Sequence, residues 1–92
     1  MEKRGSILEK LAMAADLADE SIPGLPLVEI SGDIRVLIEN HMGVTEYGKE
    51  RIRVRVKFGD VCICGCALEL SRMTKGQLII RGRIDSVSLS RR

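Results

Sequence analysis

Between Arg51 and Phe58 the chain alternates without interruption: Arg51, Arg53, Arg55 and Lys57 fall on one parity, and Ile52, Val54, Val56 and Phe58 on the other. In an extended strand successive side chains point to opposite faces, so this segment has one wholly apolar face and one wholly basic face. A helix of period 3.6 would not gather those apolar residues on one side. The segment is therefore a half-buried β-strand. It needs neighbouring strands for its backbone and a second layer for its apolar face.

The same period runs through the chain from Leu27. Val28, Ile30, Ile34, Val36 and Ile38 form one predicted face. Gly59-Asp60 is a predicted tight turn, followed by Val61, Ile63, Leu68 and Leu70 with a change of phase around Ala67. Lys75-Gly76 is the next predicted turn. Leu78, Ile80, Ile84, Val87 and Leu89 close the sheet before a frayed Ser90-Arg91-Arg92 end.

A short pattern recurs in these runs. Val28-x-Ile30-x-Gly32-x-Ile34, Val61-x-Ile63-x-Gly65-x-Ala67 and Leu78-x-Ile80-x-Gly82-x-Ile84 each place a glycine inside an apolar alternation. Glycine within a strand marks a bulge, a sharp bend or a close backbone approach. Each run is expected to bend at its glycine and pass from one layer to another. The fold class expected is mainly β: a small curled antiparallel sheet, sandwich or roll of about six or seven strands.

Upstream of Leu27 the pattern differs. Ser6-Ile7-Leu8-Glu9 is a capping-box word, and Ile7, Leu8, Leu11, Ala14, Ala15 and Ala18 recur at helical spacing. One amphipathic helix is predicted over 6–19. Pro23-Gly24-Leu25-Pro26 ends it in a stiff connector. Residues 1–26 thus form a helix and connector, and residues 27–92 the β domain. A helix packed on its own domain and an arm reaching a partner or membrane face both fit this stretch.

Composition narrows the function. The chain has 92 residues, enough for one domain, and its 45% apolar share supports an aliphatic core, since Tyr47 and Phe58 are the only aromatics. A net charge of +2 and the lack of stacking aromatics argue against a dedicated nucleic-acid binder. No apolar run is long enough to cross a membrane as a helix, and the charged N-terminal region lacks a signal peptide's apolar core. The three cysteines, Cys62, Cys64 and Cys66, suit a reducing compartment, so a cytoplasmic location is expected.

Candidate chemistry is sparse. Cys-x-Cys-x-Cys on a strand spaces the sulfurs by about 7 Å per step, wide for one tetrahedral ion. Small side chains on a covered strand are the simpler account, and no metal site is expected. Asn40 and Gly43 tolerate positive φ, so Ile38-Glu39-Asn40-His41-Met42-Gly43-Val44 reads as a β-hairpin corner with His41 near its tip. His41, the single histidine, is expected to bond local backbone there. No phosphate loop, nucleophile elbow or paired-carboxylate cleft is present in the sequence, so no catalytic residue and no cofactor are expected. Arg51, Arg53, Arg55 and Lys57 are the candidate contact for an acidic partner or an anionic surface, with Arg35, Arg72, Arg81 and Arg83 as extensions set by strand order. The same ladder also reads as a solvated face that deters edge-to-edge association.

Leu25-Pro26-x-Val28-x-Ile30-x-Gly32, Ile38-Glu39-Asn40-His41-x-Gly43, Tyr47, Ile52-x-Val54, Ile63-x-Gly65-x-x-Leu68 and Leu78-x-Ile80-x-Gly82-x-Ile84-x-x-Val87 together resemble the YabP/YqfC family of sporulation proteins, nearer its YqfC branch. The resemblance covers about residues 19–90, with Glu39, Asn40, His41 and Gly43 as its most specific word. The cysteine triplet departs from the family pattern. The resemblance implies a non-enzymatic role in the mother cell of an endospore-forming bacterium. It also implies a membrane-bound sporulation partner of the YqfD type and action at the mother-cell side of the forespore membrane. A small β-domain binding single-stranded nucleic acid is the alternative reading, and a metal- or redox-responsive cysteine protein a third.

Overall fold

The computed structural model describes residues 23–92. The helix predicted over 6–19 lies outside the described residues. The β domain consists of six strands: β1 (Leu27–Ser31), β2 (Arg35–Glu39), β3 (Val44–Tyr47), β4 (Arg51–Val56), β5 (Gly59–Met73) and β6 (Gln77–Arg91). All pairings are antiparallel, and the strands form one sheet in the order β1-β2-β6-β5-β4-β3. The mainly-β expectation and the strand count are met.

β5 and β6, each 15 residues long, carry the architecture. Each has a second neighbouring strand only along its first half. β2 joins β6 over Gln77–Arg81, whereas β4 joins β5 over Gly59–Cys64. Between these zones the register shifts at Cys64/Gly65 and at Cys66/Glu69. Gly82 has φ 141° and Ala67 has φ 54°, both in the left-handed half of backbone space. These are the bends predicted from the glycine pattern, and Ala67 is the residue at which the phase change was read. Gly65 shows why a side chain is barred here: an added Cβ would overlap the Arg83 carbonyl oxygen. At Gly82 a Cβ would lie 2.7 Å from the Ala67 carbonyl oxygen. Gly32 differs from the other two copies. It sits in the β1–β2 turn rather than in a strand bend.

The two bends are held by the two hairpin turns. Asp33 and Ile34 carbonyls, in the β1–β2 turn, accept from the amides of Ile84 (2.6 Å) and Gly82 (3.3 Å). Lys49 and Glu50 carbonyls, in the β3–β4 turn, accept from Leu68 (2.8 Å) and Gly65 (3.0 Å). Amides released from the ladder by each bend thus find acceptors in a neighbouring turn, as buried backbone requires.

Curling brings the apolar faces of both sheet halves around one core. Val36, Ile38, Leu78 and Ile80 come from one half, and Ile52, Val54, Val56, Val61 and Ile63 from the other, all at 0% exposure. Each such side chain contributes about 1.5–3 kcal/mol on burial, so this cluster dominates the stability of a domain with so few aromatics. Ile34, expected in this face, lies instead in the β1–β2 turn and is 60% exposed.

The Asn40–Gly43 stretch is not a hairpin. β2 pairs with β1 and β6, and β3 pairs with β4, so the connection between β2 and β3 crosses from one sheet half to the other. Positive φ at Asn40 (62°) and Gly43 (115°) turns the chain, as read, but the turn serves a crossover. Its ends are tied to both halves: the Asn40 amide donates to Gly76, and the Met42 amide to Arg55. The tight turn predicted at Gly59-Asp60 falls two residues earlier, at Lys57-Phe58, because Val56 pairs with Gly59.

Candidate functional site: the outer face of β4, β5 and β6

The basic ladder stands where alternation puts it. Ile52, Val54 and Val56 are buried, and Arg51, Arg53 and Arg55 project from the opposite face of β4. Across the β4–β5 pairing, Arg51 is in register with Cys64, Arg53 with Cys62 and Arg55 with Asp60. One strand further, Cys64 faces Ser86, Cys62 faces Ser88 and Asp60 faces Ser90. The outer surface is therefore a grid of three rows: arginines on β4, thiols and a carboxylate on β5, serines on β6.

Much of the ladder's charge is already partnered. Arg53 Nε lies 3.6 Å from Glu46 Oε1 across the β3–β4 pair, with both side chains half-exposed. Lys57 Nζ donates to the Pro23 carbonyl at 2.9 Å, tying the connector to the domain. The Arg51 guanidinium is held above its ordinary value, first by hydrogen bonding to Cys64 and then by the Glu46 carboxylate. Arg51 also borders a groove of about 560 Å³ that contains Glu46, Glu50 and Asp85 as well as Lys49. The surface thus carries both signs, with its arginines regularly spaced.

Strand order does not extend this ladder to Arg35 and Arg81. Those two are directly opposed across β2 and β6, on the outer face of the other half of the curled sheet. Arg83 is engaged by Asp85 at 3.4 Å. The extension depended on strand order, and the bends at Gly65 and Gly82 lie between these residues and the ladder.

The cysteines are closer than strand spacing alone suggests. Cys62 and Cys64 lean toward each other, with Sγ atoms 3.9 Å apart, because side-chain rotation takes up most of the backbone step. Burial pushes the Cys62 thiol up from its ordinary value, and its hydrogen bond with Cys64 adds to this. Cys66 lies beyond the register shift and is exposed. Among the described residues no group of three or more His, Cys, Asp or Glu side chains is placed to hold a metal ion.

His41 is buried at the crossover, 8% exposed. Its Nδ1 accepts from the Gly43 amide at 3.0 Å, and its Nε2 lies 2.9 Å from the Thr74 carbonyl. A ring nitrogen facing an amide must be the acceptor, and one facing a carbonyl must carry the hydrogen, so the imidazole is the Nε2–H tautomer. The Asn40 side chain donates to the Leu25 carbonyl at 2.9 Å, and Glu39 accepts from Gln77 at 3.3 Å. Asn40, His41 and Gly43 therefore form a backbone-clamping cluster on the crossover, with Glu39 held by the Gln77 side chain beside it, separate from the arginine grid. The long-range partners, Thr74 and Leu25, carry no signal in the sequence. Among the described residues no helix is long and apolar enough to cross a membrane.

The uncharacterised protein YqfC of Bacillus subtilis (strain 168) is 25% identical over 77 residues, covering 84% of this chain and 83% of that protein. No solved structure matches. The family model for the YabP family matches residues 26–92, the whole β domain with its crossover word and both glycine bends, and the chain belongs to that family.

Proposed function

We propose that this protein is a non-enzymatic interaction module of sporulation. It docks through the outer face of β4 and β5 on a membrane-bound sporulation protein of the YqfD type, at the mother-cell side of the forespore membrane. The observation that carries this reading is the grid itself: Arg51, Arg53 and Arg55 in register with Cys64, Cys62 and Asp60 on a surface outside the core. Interspersed Glu46, Asp60 and Asp85 favour a protein partner of mixed charge over a uniformly anionic lipid surface, because carboxylates within the grid repel head groups. Family membership supports the sporulation context. The His41 cluster supports a structural role for the family word, since both ring nitrogens are spent on backbone groups.

The test is capture of partners from sporulating cells in mild detergent, with the full chain as bait and mass spectrometry as readout. The expected result is one sporulation membrane protein recovered by the parent chain and lost with Arg51→Glu/Arg55→Glu. Equal recovery by that variant overturns the assignment of the face. Sedimentation with anionic vesicles, run in parallel, separates a lipid contact from a protein one.

A further inference from the structure

The second half of β6 has a strand on one side only among the described residues. β2 accompanies β6 as far as Arg81, and the β1–β2 turn takes the amides of Gly82 and Ile84. Among the described residues, no strand lies on the side away from β5 from Ser86 onward. Which groups face it follows from two independent bonds. The Arg92 amide donates to the Phe58 carbonyl, so Arg92 faces β5 and, by alternation, so do Ser90, Ser88 and Ser86. The Gly65 amide donates to Glu50, so odd-numbered β5 residues face β4, and Cys62 and Cys64 are left to bond Ser88 and Ser86. Both routes leave the amides and carbonyls of Val87, Leu89 and Arg91 directed outward.

Exposed edges are normally blunted by lysine, proline or a covering segment. Ser86-Val87-Ser88-Leu89-Ser90 contains neither a charge nor a proline. It is also self-complementary. We propose that two copies of this chain pair antiparallel along this edge, about a two-fold axis at Ser88. That register sets Val87 against Leu89 and Ser86 against Ser90. The residues with outward amides are then those that exchange hydrogen bonds, as an antiparallel ladder requires. Val87 and Leu89 lie on the core side of the sheet, in register with Ile63 and Val61. Leu89, 62% exposed in the single chain, thereby gains an apolar neighbour. Sliding the pairing by two residues sets Arg91 against Val87 in one direction and Leu89 against the bulged Asp85 in the other, so the central register makes the most apolar pairs. The interface is isologous and closes at two copies.

Sedimentation velocity of the full chain over roughly 1–200 µM is the test, since a dimer must respond to concentration. A reversible dimer is expected. Leu89→Pro removes one outward amide at an exposed position and spares the bonds to β5, so it is expected to yield a folded monomer. Should that variant fail to fold, Leu89→Lys replaces it as an edge-blocking charge. A parent chain that stays monomeric throughout, or a dimer unmoved by both Leu89 variants, overturns the pairing.

Discussion

The amide of Gly43 donates to Nδ1 of His41 over 3.0 Å, inside the span Asn40–Gly43 by which the chain crosses from one half of the sheet to the other. The ring's second nitrogen reaches Thr74, 33 residues away, so one side chain fixes both the local turn and its place against the β5–β6 loop. Removing it strands a shielded amide and a shielded carbonyl.

His41→Ala is therefore expected to cost about 2–4 kcal/mol, the sum of two unmet backbone groups. His41→Asn should recover part of this, because Asn Oδ1 can take the Gly43 amide in an Asx-type turn but does not reach Thr74. Urea denaturation of the three proteins checks the order. Equal loss in both variants would mean that the Gly43 bond contributes nothing.

The bends make opposite predictions for neighbouring residues. Gly65→Ala and Gly82→Ala introduce a Cβ into backbone oxygens, at Arg83 and Ala67 respectively, and each should destabilise by about 2 kcal/mol or more. Ala67, exposed and at φ 54°, is held where glycine is at ease. Ala67→Gly is expected to be neutral or to stabilise by up to about 1 kcal/mol, a sign that glycine substitutions within strands seldom show. Thermal or urea melts give the comparison directly.

Arg53 and Glu46 form a pair that water reaches, with side-chain exposures of 42% and 47%. Arg53→Gln should change stability by less than about 1 kcal/mol, and the difference should shrink further in high salt. A larger loss would mean that Arg53 supports the β3–β4 pairing in a way its exposure does not suggest.

The cysteines should label in the order of their surroundings. Cys66, exposed beyond the register shift, is expected to react first with iodoacetamide, and Cys62 last. Burial and the Cys64 thiol raise the Cys62 value, so its rate should climb only above the ordinary thiol range. The stability sign follows. Between the unfolded and the raised folded value the native state holds more protons, so this group's contribution falls as pH rises through that window. Peptide mapping at a series of pH values reads the labelling, and Cys62→Ser should abolish the alkaline slope in stability.

Alternation made the strands legible. The Arg51–Val56 strand, the turn at Lys75-Gly76 and the bend at Gly82 rest on rules that act within a few residues, namely side-chain parity and the φ that only glycine adopts cheaply, whereas Gly65 is required by the approach of the Arg83 carbonyl. Ala67 shows the same logic, since a break of parity was readable before its cause, a left-handed backbone, was visible. The crossover at Asn40–Gly43 misled for the complementary reason. A turn between two extended runs has the same local chemistry whether those runs pair with each other or with distant strands.

What the sequence by itself determined, then, was a mainly-β chain with one basic strand face and bends at named glycines, because those features need only neighbours along the chain. The tertiary structure alone decided which strands meet, since pairing depends on groups far apart in sequence. That choice set Arg53 beside Cys62, placed Arg35 and Arg81 on the other outer face, and brought His41 to Thr74. It also left the backbone of Val87, Leu89 and Arg91 without a neighbouring strand among the described residues.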